Sequence, residues 1–293
     1  MNPRVAIITP ASGRHELRQC LESVAAQTYK DITHIVVIDG HKRAGAVHAT
    51  LNSCDSKIRK QLHVVELPEP TGFDGYNGHR IYGGVSFLHN ADWIAYLDED
   101  NWYDPSHIKS LVDLVSANRL QWAYALRKIV SWEGRYLCRD NCNSLGWWPS
   151  YDGCYCHVDT NCYFIRSDIA IELGWIWNRR SGIADIETAD RTLCSHLLRQ
   201  FPQTFTTGRY TVNYRIGSRG DEAMTLQYYR YGNQIMRAIF RRFPWAAMTI
   251  SGQLKEHPCL AWELASRSPA LDLVYRVIQK HLSPVAPSVR RCD

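Results

Sequence analysis

An α/β fold with a Rossmann-like, mainly parallel sheet flanked by helices is what this sequence predicts, and three observations carry the prediction. Four short apolar, β-branched runs recur in the first hundred residues: VAIITP, HIVVID, LHVVEL and WIAYLD. Helical periodicity or turn chemistry fills the segments between them, the alternation expected of βαβ units. Polar residues gather at the carboxyl ends of the runs, where open parallel sheets bind ligands.

Taken in order, Val5 to Pro10 has strand length and is stopped by proline, as in a buried parallel strand. Leu17, Cys20, Leu21, Val24 and Ala25 then fall at i, i+3, i+4, i+7 and i+8, one helical stripe, with Ser12 or Gly13 placed to cap its start. Strands ending at Asp39, Leu67 and Asp98 follow. Asp104 is placed to cap the next helix, with Pro105 at its first position and Ile108, Leu111, Val112 and Val115 facing inward. WAYALRKIVSWEGRYLC, Trp122 to Cys138, reads as two strands around the turn Trp132 to Arg135, and TNCYFIR, Thr160 to Arg166, as another. The last seventy residues read as helical, ending in a loose tail, SPVAPSVRRCD.

Composition bounds the function. With 293 residues and 45% hydrophobic content the chain can bury a proper core. Its 34 basic and 29 acidic residues leave only +5, too little for the concentrated field of a nucleic-acid binder. No apolar stretch reaches about 18 residues, and MNPRVAIITPASGR has too short an apolar run for a signal peptide, so a cytoplasmic protein is expected. Ten cysteines in such a chain read as reduced thiols rather than a disulfide framework.

The strand ends carry Thr9, Ser12 and Arg14, then Asp39, then the triplet Asp98, Glu99 and Asp100. Three carboxylates at one strand end repel one another, and a hard cation such as Mg²⁺ or Mn²⁺ would hold them together while keeping positions open for phosphate oxygens. A solvated acidic turn is the other reading of the same run.

Several features occur here in a fixed order: a strand ending in Thr9 and Pro10, Arg14, LESVAAQTY from Leu21 to Tyr29, a strand ending in Asp39 and Gly40, and the acid-x-acid motif Asp98-Glu99-Asp100. Over roughly 110 residues this register resembles the family-2 glycosyltransferases, whose nucleotide-sugar-binding fold is called GT-A. The resemblance implies that Pro10 and its neighbours Thr9, Ala11, Ser12 and Arg14 line the nucleotide slot, and that Asp39 accepts hydrogen bonds from the base. It implies that Arg80, with Tyr76, faces the nucleotide, that Asp98 touches the ribose or the metal, that Glu99 joins the donor-binding set, and that Asp100 holds the Mn²⁺ or Mg²⁺ on the diphosphate. Ile81 stands where the family commonly has Asn, and His41 where it has an acid or Ser, so UDP and GDP both stay open.

On this resemblance residues 1–120 form the nucleotide-sugar half of a GT-A domain, 121–220 its acceptor-side half, and 221–293 a C-terminal helical extension. HVDTNCYFIRSD matches the segment that places a polar residue near the sugar, which nominates Asp159 and Asn161. The base that takes the acceptor's proton is expected in ADIETADRTLCSHLL: Asp190 first, then Glu187, then Asp185, with Thr188 where the family has its middle Asp. Acids in a helix's first turn also favour its dipole without doing chemistry. The expected activity is metal-dependent, inverting and non-processive, with a glycan, lipid-linked or small-molecule acceptor. Ala238 stands where processive synthases have Trp after Gln234-x-x-Arg237. A sugar-nucleotide nucleotidyltransferase and a non-catalytic sugar-binding module are the alternatives.

Two further stretches have paired readings. Cys138, Cys142, Cys154, Cys156 and Cys162, with His157, suggest zinc, but no Cys-x-x-Cys pair is present and buried thiols are the commoner explanation. GWWPSYDGCYCH either covers an acceptor sugar with aromatic faces or packs an irregular loop. Ala223 to Trp245 mixes arginines with apolar and aromatic residues, which fits a helix covering the domain or, alternatively, peripheral contact with an anionic membrane.

Overall fold

The computed structural model describes residues 2–151, 157–179, 188–218, 220–246 and 249–256. In chain order the elements are β1 (Val5–Ala11), α1 (Leu17–Ala25), β2 (Ile32–Ile38), α2 (Ala44–Ser53), α3 (Ser56–Arg59), β3 (Leu62–Glu66), α4 (His79–Val85), β4 (Trp93–Tyr96), β5 (Trp102–Tyr103) and α5 (His107–Asn118). Then come β6 (Trp122–Val130), β7 (Tyr136–Arg139), β8 (Tyr163–Arg166), α6 (Ser167–Glu172), α7 (Ala189–Gln200), β9 (Thr206–Arg215), α8 (Glu222–Ile239) and α9 (Ile250–Glu256).

One sheet in the order β3-β2-β1-β4-β8-β6-β9-β5 organises the chain, with β7 on the side of β6. The first four strands are parallel, as their continuous apolar runs demand: both faces of such a sheet lie under helices. Beyond β4 the sheet is mixed rather than parallel. β8 runs antiparallel to β4 and β6, β5 antiparallel to β9, and only β6 and β9 pair in parallel. Because β2 lies on one side of β1 and β4 on the other, the strand order reverses at β1, so a crevice opens at the carboxyl ends of β1 and β4. Pro10 is accommodated in β1 because β4 pairs only as far as Ile8, which leaves that edge with no donor to satisfy.

A large buried cluster draws on Val5, Ile94, Leu126, Phe164, Leu197, Tyr229, Trp245 and Leu254, and so joins all three predicted segments. A smaller one on the other face combines Ala11, Leu17, Leu21, Val36, Ile38 and Val47. The C-terminal helix α8 buries Tyr229, Gly232 and Met236 and turns Arg230 and Arg237 to solvent, the pattern of a covering helix. Gly232 is required there, because a Cβ would lie 2.5 Å from the Tyr151 ring and 2.7 Å from the Cys142 sulfur. Under α8 the aromatic loop is packing: Tyr151 meets Tyr228 edge-on at 4.9 Å, and Trp148, almost fully buried, meets Trp245 at 6.0 Å. Tyr155 lies outside the described residues, as do Cys154 and Cys156 of the cysteine group, while Cys142 and Cys162 are buried free thiols.

Two predicted helix caps are corrected. α1 starts at Leu17 behind Glu16, with no side-chain cap; the 12–14 backbone turns its amides to Glu99 instead. α5 starts at His107 behind Ser106, and the Asp104 carboxylate accepts from Lys128 Nζ at 2.7 and 2.8 Å and from Asn213 Nδ2 at 2.9 Å. In both places a charged partner brought in by the sheet outcompetes a local cap, since charge-assisted hydrogen bonds are about twice as strong as neutral ones.

Candidate functional site

The acidic triplet leaves β4 directly into the crevice, and its three members have different tasks. Glu99 is structural: Oε1 accepts from the Ser12 amide at 2.9 Å and from the Ser12 hydroxyl, and Oε2 from the Gly13 and Arg14 amides at 3.1 and 3.3 Å. That carboxylate holds the β1–α1 loop together. Asp100 pairs with Arg14 Nη1 at 2.7 Å, while its carbonyl accepts from Arg215 Nη1. Asp98 accepts from the Tyr82 hydroxyl and from Asn161 Nδ2 at 2.8 Å, and its amide donates to Asn161 Oδ1 at 2.7 Å.

Asn161 reaches Asp98 because β4 and β8 are antiparallel with Ala95 opposite Phe164, which sets the residue three before Phe164 beside the residue three after Ala95. Asp159 is likewise buried, but its oxygens are taken up by the Asn161 amide at 3.0 Å, Asn161 Nδ2 at 2.9 Å and Arg127 Nη1. It therefore holds Asn161 beside Asp98. Arg127 is almost fully buried and completes this network through Asp140 at 2.8 Å, Asn143 at 2.9 Å and the Tyr229 hydroxyl of α8 at 3.0 Å. Burial alone would raise the Asp140 carboxyl, but the Arg127 charge and the Cys142 and Ser144 amides hold it below the usual carboxylate range.

Removing Arg127 strands two buried carboxylates, so Arg127→Met is expected to destabilise the fold by about 3–5 kcal/mol in urea unfolding. Since the Asp140 carboxyl is depressed, its contribution is present above about pH 4 and is lost as pH falls below that. Asp140→Asn should therefore lower stability at pH 7 and flatten its acid-side dependence, read as urea midpoints between pH 3 and 7.

The 70–80 segment, which carries Tyr76 and Arg80 expected at the nucleotide, folds over β1 and β2. Asp39, almost fully buried, accepts from the Thr71 amide and hydroxyl, from the Gly72 amide at 3.2 Å and from Arg43 Nη1 at 3.3 Å, and so ties that segment down. Gly78 lies against Pro10: a Cβ there would be 2.6 Å from the proline ring. Gly78→Ala is accordingly expected to cost about 1–3 kcal/mol by overpacking, measured as a lower urea midpoint. The Arg80 guanidinium stacks 3.5 Å from the Tyr76 ring centroid and donates to Asn178 Oδ1 at 2.9 Å. Two nominated residues do not face the crevice. The Thr9 hydroxyl is buried against His34 Nε2 at 2.9 Å, and Ala11 is a member of the smaller core cluster, because β1 alternates its side chains between the two helical layers. Ser12 and Arg14 stand at the crevice mouth, and Pro10 is partly exposed beside them.

On the acceptor side Asp190 occupies the first turn of α7. Its Oδ2 lies 3.1 Å from His157 Nε2, and its Oδ1 accepts from the Thr188 hydroxyl and the Arg191 amide at 2.8 Å. Burial would raise this carboxyl, but the His157 ring and the Thr188 and Arg191 donors outweigh it and hold Asp190 far below the usual range. Glu187 and Asp185 lie outside the described residues. Segment 157–161 thus touches Asp190 through His157 and Asp98 through Asn161, two points separated by no more than about 14 Å of backbone.

Among the described residues no group of three or more His, Cys, Asp or Glu converges on a metal position. Asp98 and Asp100 nevertheless fit a hard cation. Burial and the Asp98 charge push the Asp100 carboxyl up to about 7 despite Arg14, and burial, with Asp159, raises Asp98. Arg14 does not outweigh burial and the Asp98 charge at Asp100, and two carboxylates are the usual protein share where substrate phosphates supply further oxygens. Sequence reading missed Tyr82, Arg127 and Arg215, and named His157 only as a possible zinc ligand. Each is distant in the chain from what it touches, so no local pattern gives its partner.

Residues 6–152, about half of the chain, match the profile of Glycosyl transferase family 2. An uncharacterized glycosyltransferase of Rickettsia bellii (strain RML369-C) is 28% identical over 138 residues, 46% of this chain and 19% of that protein. One of Rickettsia felis is 29% identical over 115 residues, 39% of this chain and 17% of that protein, so the chain spans about a fifth of these relatives' length. The mannosyltransferase PcManGT of Pyrobaculum calidifontis, solved in complex with GDP-Man and Mn²⁺, superimposes with a TM-score of 0.54 at 13% identity, covering 97% of this chain and 77% of that one. S. aureus TarS 1-349, in complex with UDP-GlcNAc, gives 0.53 at 12% identity, covering 73% and 58%. At such identities the likeness is one of fold. With β1–β4, the carboxylates at their ends and the profile in agreement, this is a GT-A chain, and it belongs to glycosyl transferase family 2. Among the described residues no helix is long and apolar enough to cross a membrane.

Proposed function

We propose that the protein transfers a sugar from a UDP- or GDP-sugar to an acceptor hydroxyl, one sugar at a time and with inversion at the anomeric carbon. The observation that carries the reading is the pairing of an under-neutralised carboxylate pair, Asp98 and Asp100, with an ionised carboxylate, Asp190, through the single segment 157–161. Inversion needs a base on the side of the sugar ring opposite the departing diphosphate.

The residues divide the work as follows. Arg80 and Tyr76 flank the nucleotide with a cation and an aromatic face, and Pro10 lines the base. Asp98 and Asp100 would hold a divalent ion, which when bound would supply positive charge to the departing diphosphate. Tyr82 and Asn161 hold Asp98 in place, and Arg14 and Arg215 hold Asp100. Asp190 accepts the acceptor's hydroxyl proton while the electron pair of the broken bond leaves on the phosphate oxygen.

Against a nucleotidyltransferase stands the 12–14 loop: the amides that a phosphate-cradling loop aims at its ligand are bonded to Glu99 here. Incubation with a panel of nucleotide sugars and Mn²⁺, followed by anomeric NMR of the product, tests the proposal. An inverted glycoside with free UDP or GDP is expected. Product that retains the donor configuration, or pyrophosphate release from a nucleoside triphosphate and a sugar phosphate, would overturn it.

A further inference from the structure

His157 entered the sequence reading only beside the cysteines as a possible zinc ligand, yet its ring meets Asp190. Three observations fix it there. Its carbonyl accepts from the Gly146 amide at 2.8 Å, and Gly146 has φ +66° with Tyr124 so close that a Cβ would lie 2.4 Å from the ring, so only glycine allows that bridge. Its Nε2 lies 3.1 Å from Asp190 Oδ2. Its Nδ1 is buried and has no partner among the described residues.

An ionised carboxylate only accepts, so the imidazole donates its Nε2–H to Asp190. Among the described residues the other charged and titratable groups around Asp190 are few. Tyr163 of β8 donates its hydroxyl to the Asp190 carbonyl at 2.8 Å, and Arg191 and Cys194 belong to α7 itself. With Thr188 and the Arg191 amide on Oδ1 and His157 on Oδ2, the carboxylate cannot rotate, and the lone pair of Oδ2 not taken by His157 is the one left for an incoming hydroxyl.

We propose that His157 is the positioning residue of the proton-accepting carboxylate: its Nε2–H fixes the orientation of Asp190, so that the acceptor hydroxyl meets a single prepared lone pair. The proposal rests on Asp190 being the base. The hydroxyl proton passes to Asp190 Oδ2, the hydroxyl oxygen bonds to the anomeric carbon, the anomeric carbon–phosphate oxygen bond breaks toward the diphosphate, and His157 keeps its own proton.

The test compares pH–rate profiles of wild type, His157→Ala, His157→Gln and Asp190→Asn with the donor and acceptor found in the panel above. His157→Ala should lower kcat about 10- to 100-fold, the usual cost of removing a partner that orients a reacting group, with the donor KM unchanged. Losing the ring also raises the Asp190 carboxyl toward its ordinary value, which moves the acid limb of the kcat profile to higher pH. His157→Gln keeps an N–H donor and should recover most of kcat with the acid limb still displaced. A merely structural histidine would leave the limb where it was. Wild-type kcat and an unmoved limb in both His157 variants, with Asp190→Asn inactive, would overturn this inference and leave the base assignment standing. Wild-type turnover in Asp190→Asn would overturn the base assignment itself. Should His157→Ala fail to fold, the limb of His157→Gln decides alone.

Discussion

Asp100→Asn is expected to lower metal-dependent turnover by about 10²- to 10³-fold, the range for removing one electrostatic stabiliser of a developing charge. The variant should fold, because Asp100 enters the ligand-free protein as a liability. Its carboxyl is pushed up to about 7 by burial and by Asp98, and the single contact to Arg14 does not offset them. Removing that charge relieves repulsion, so the ligand-free variant should melt no lower than wild type by calorimetry, while Mn²⁺ should cease to raise the melting temperature in the presence of UDP or GDP. Linkage makes that second readout sensitive, since a ligand at a hundredfold excess over its Kd stabilises by about 2.7 kcal/mol. Full turnover in Asp100→Asn, or an undiminished metal-dependent rise in melting temperature, would remove the metal assignment.

Asp190→Asn is the second large effect. It preserves shape and the hydrogen bond from His157 but cannot hold a proton, so kcat is expected to fall about 10²- to 10⁴-fold with the donor KM unchanged. The asymmetry between the two parameters matters. Asp190 sits on α7, and its contacts are with His157, Thr188, Arg191 and Tyr163, none of which lines the nucleotide side. A variant that instead raised the donor KM with kcat intact would assign Asp190 to donor binding and send the search for the base to Asp185 and Glu187.

Much of the site could be read from the sequence because strand-end chemistry is local. Asp98 and Asp100 follow an apolar run that can only be a buried strand, and the crevice of a parallel sheet lies at such ends. The same logic named Thr9 and Glu99, and the family resemblance Ala11, yet the fold buries Thr9 and Ala11 and bonds Glu99 to the 12–14 loop. Which face of β1 a side chain takes, and which of three adjacent acids turns back to fold a loop, depends on neighbours that a strand-end rule does not contain. Asp104 shows the same limit: a good helix cap by pattern, it is drawn away by Lys128 from a strand that lies alongside only in the folded sheet.

By itself, then, the chain's order of apolar runs determined the parallel half of the sheet and the presence of acids at its rim, since period and strand length depend on residues a few positions apart. Tertiary structure alone decided that Asn161 would lie beside Asp98, that Arg127 would hold Asp159, and that His157 would face Asp190. Those pairings are set by antiparallel register and by α7 and α8 closing over the sheet, and contacts made across tens of residues leave no periodic trace in the sequence that encodes them.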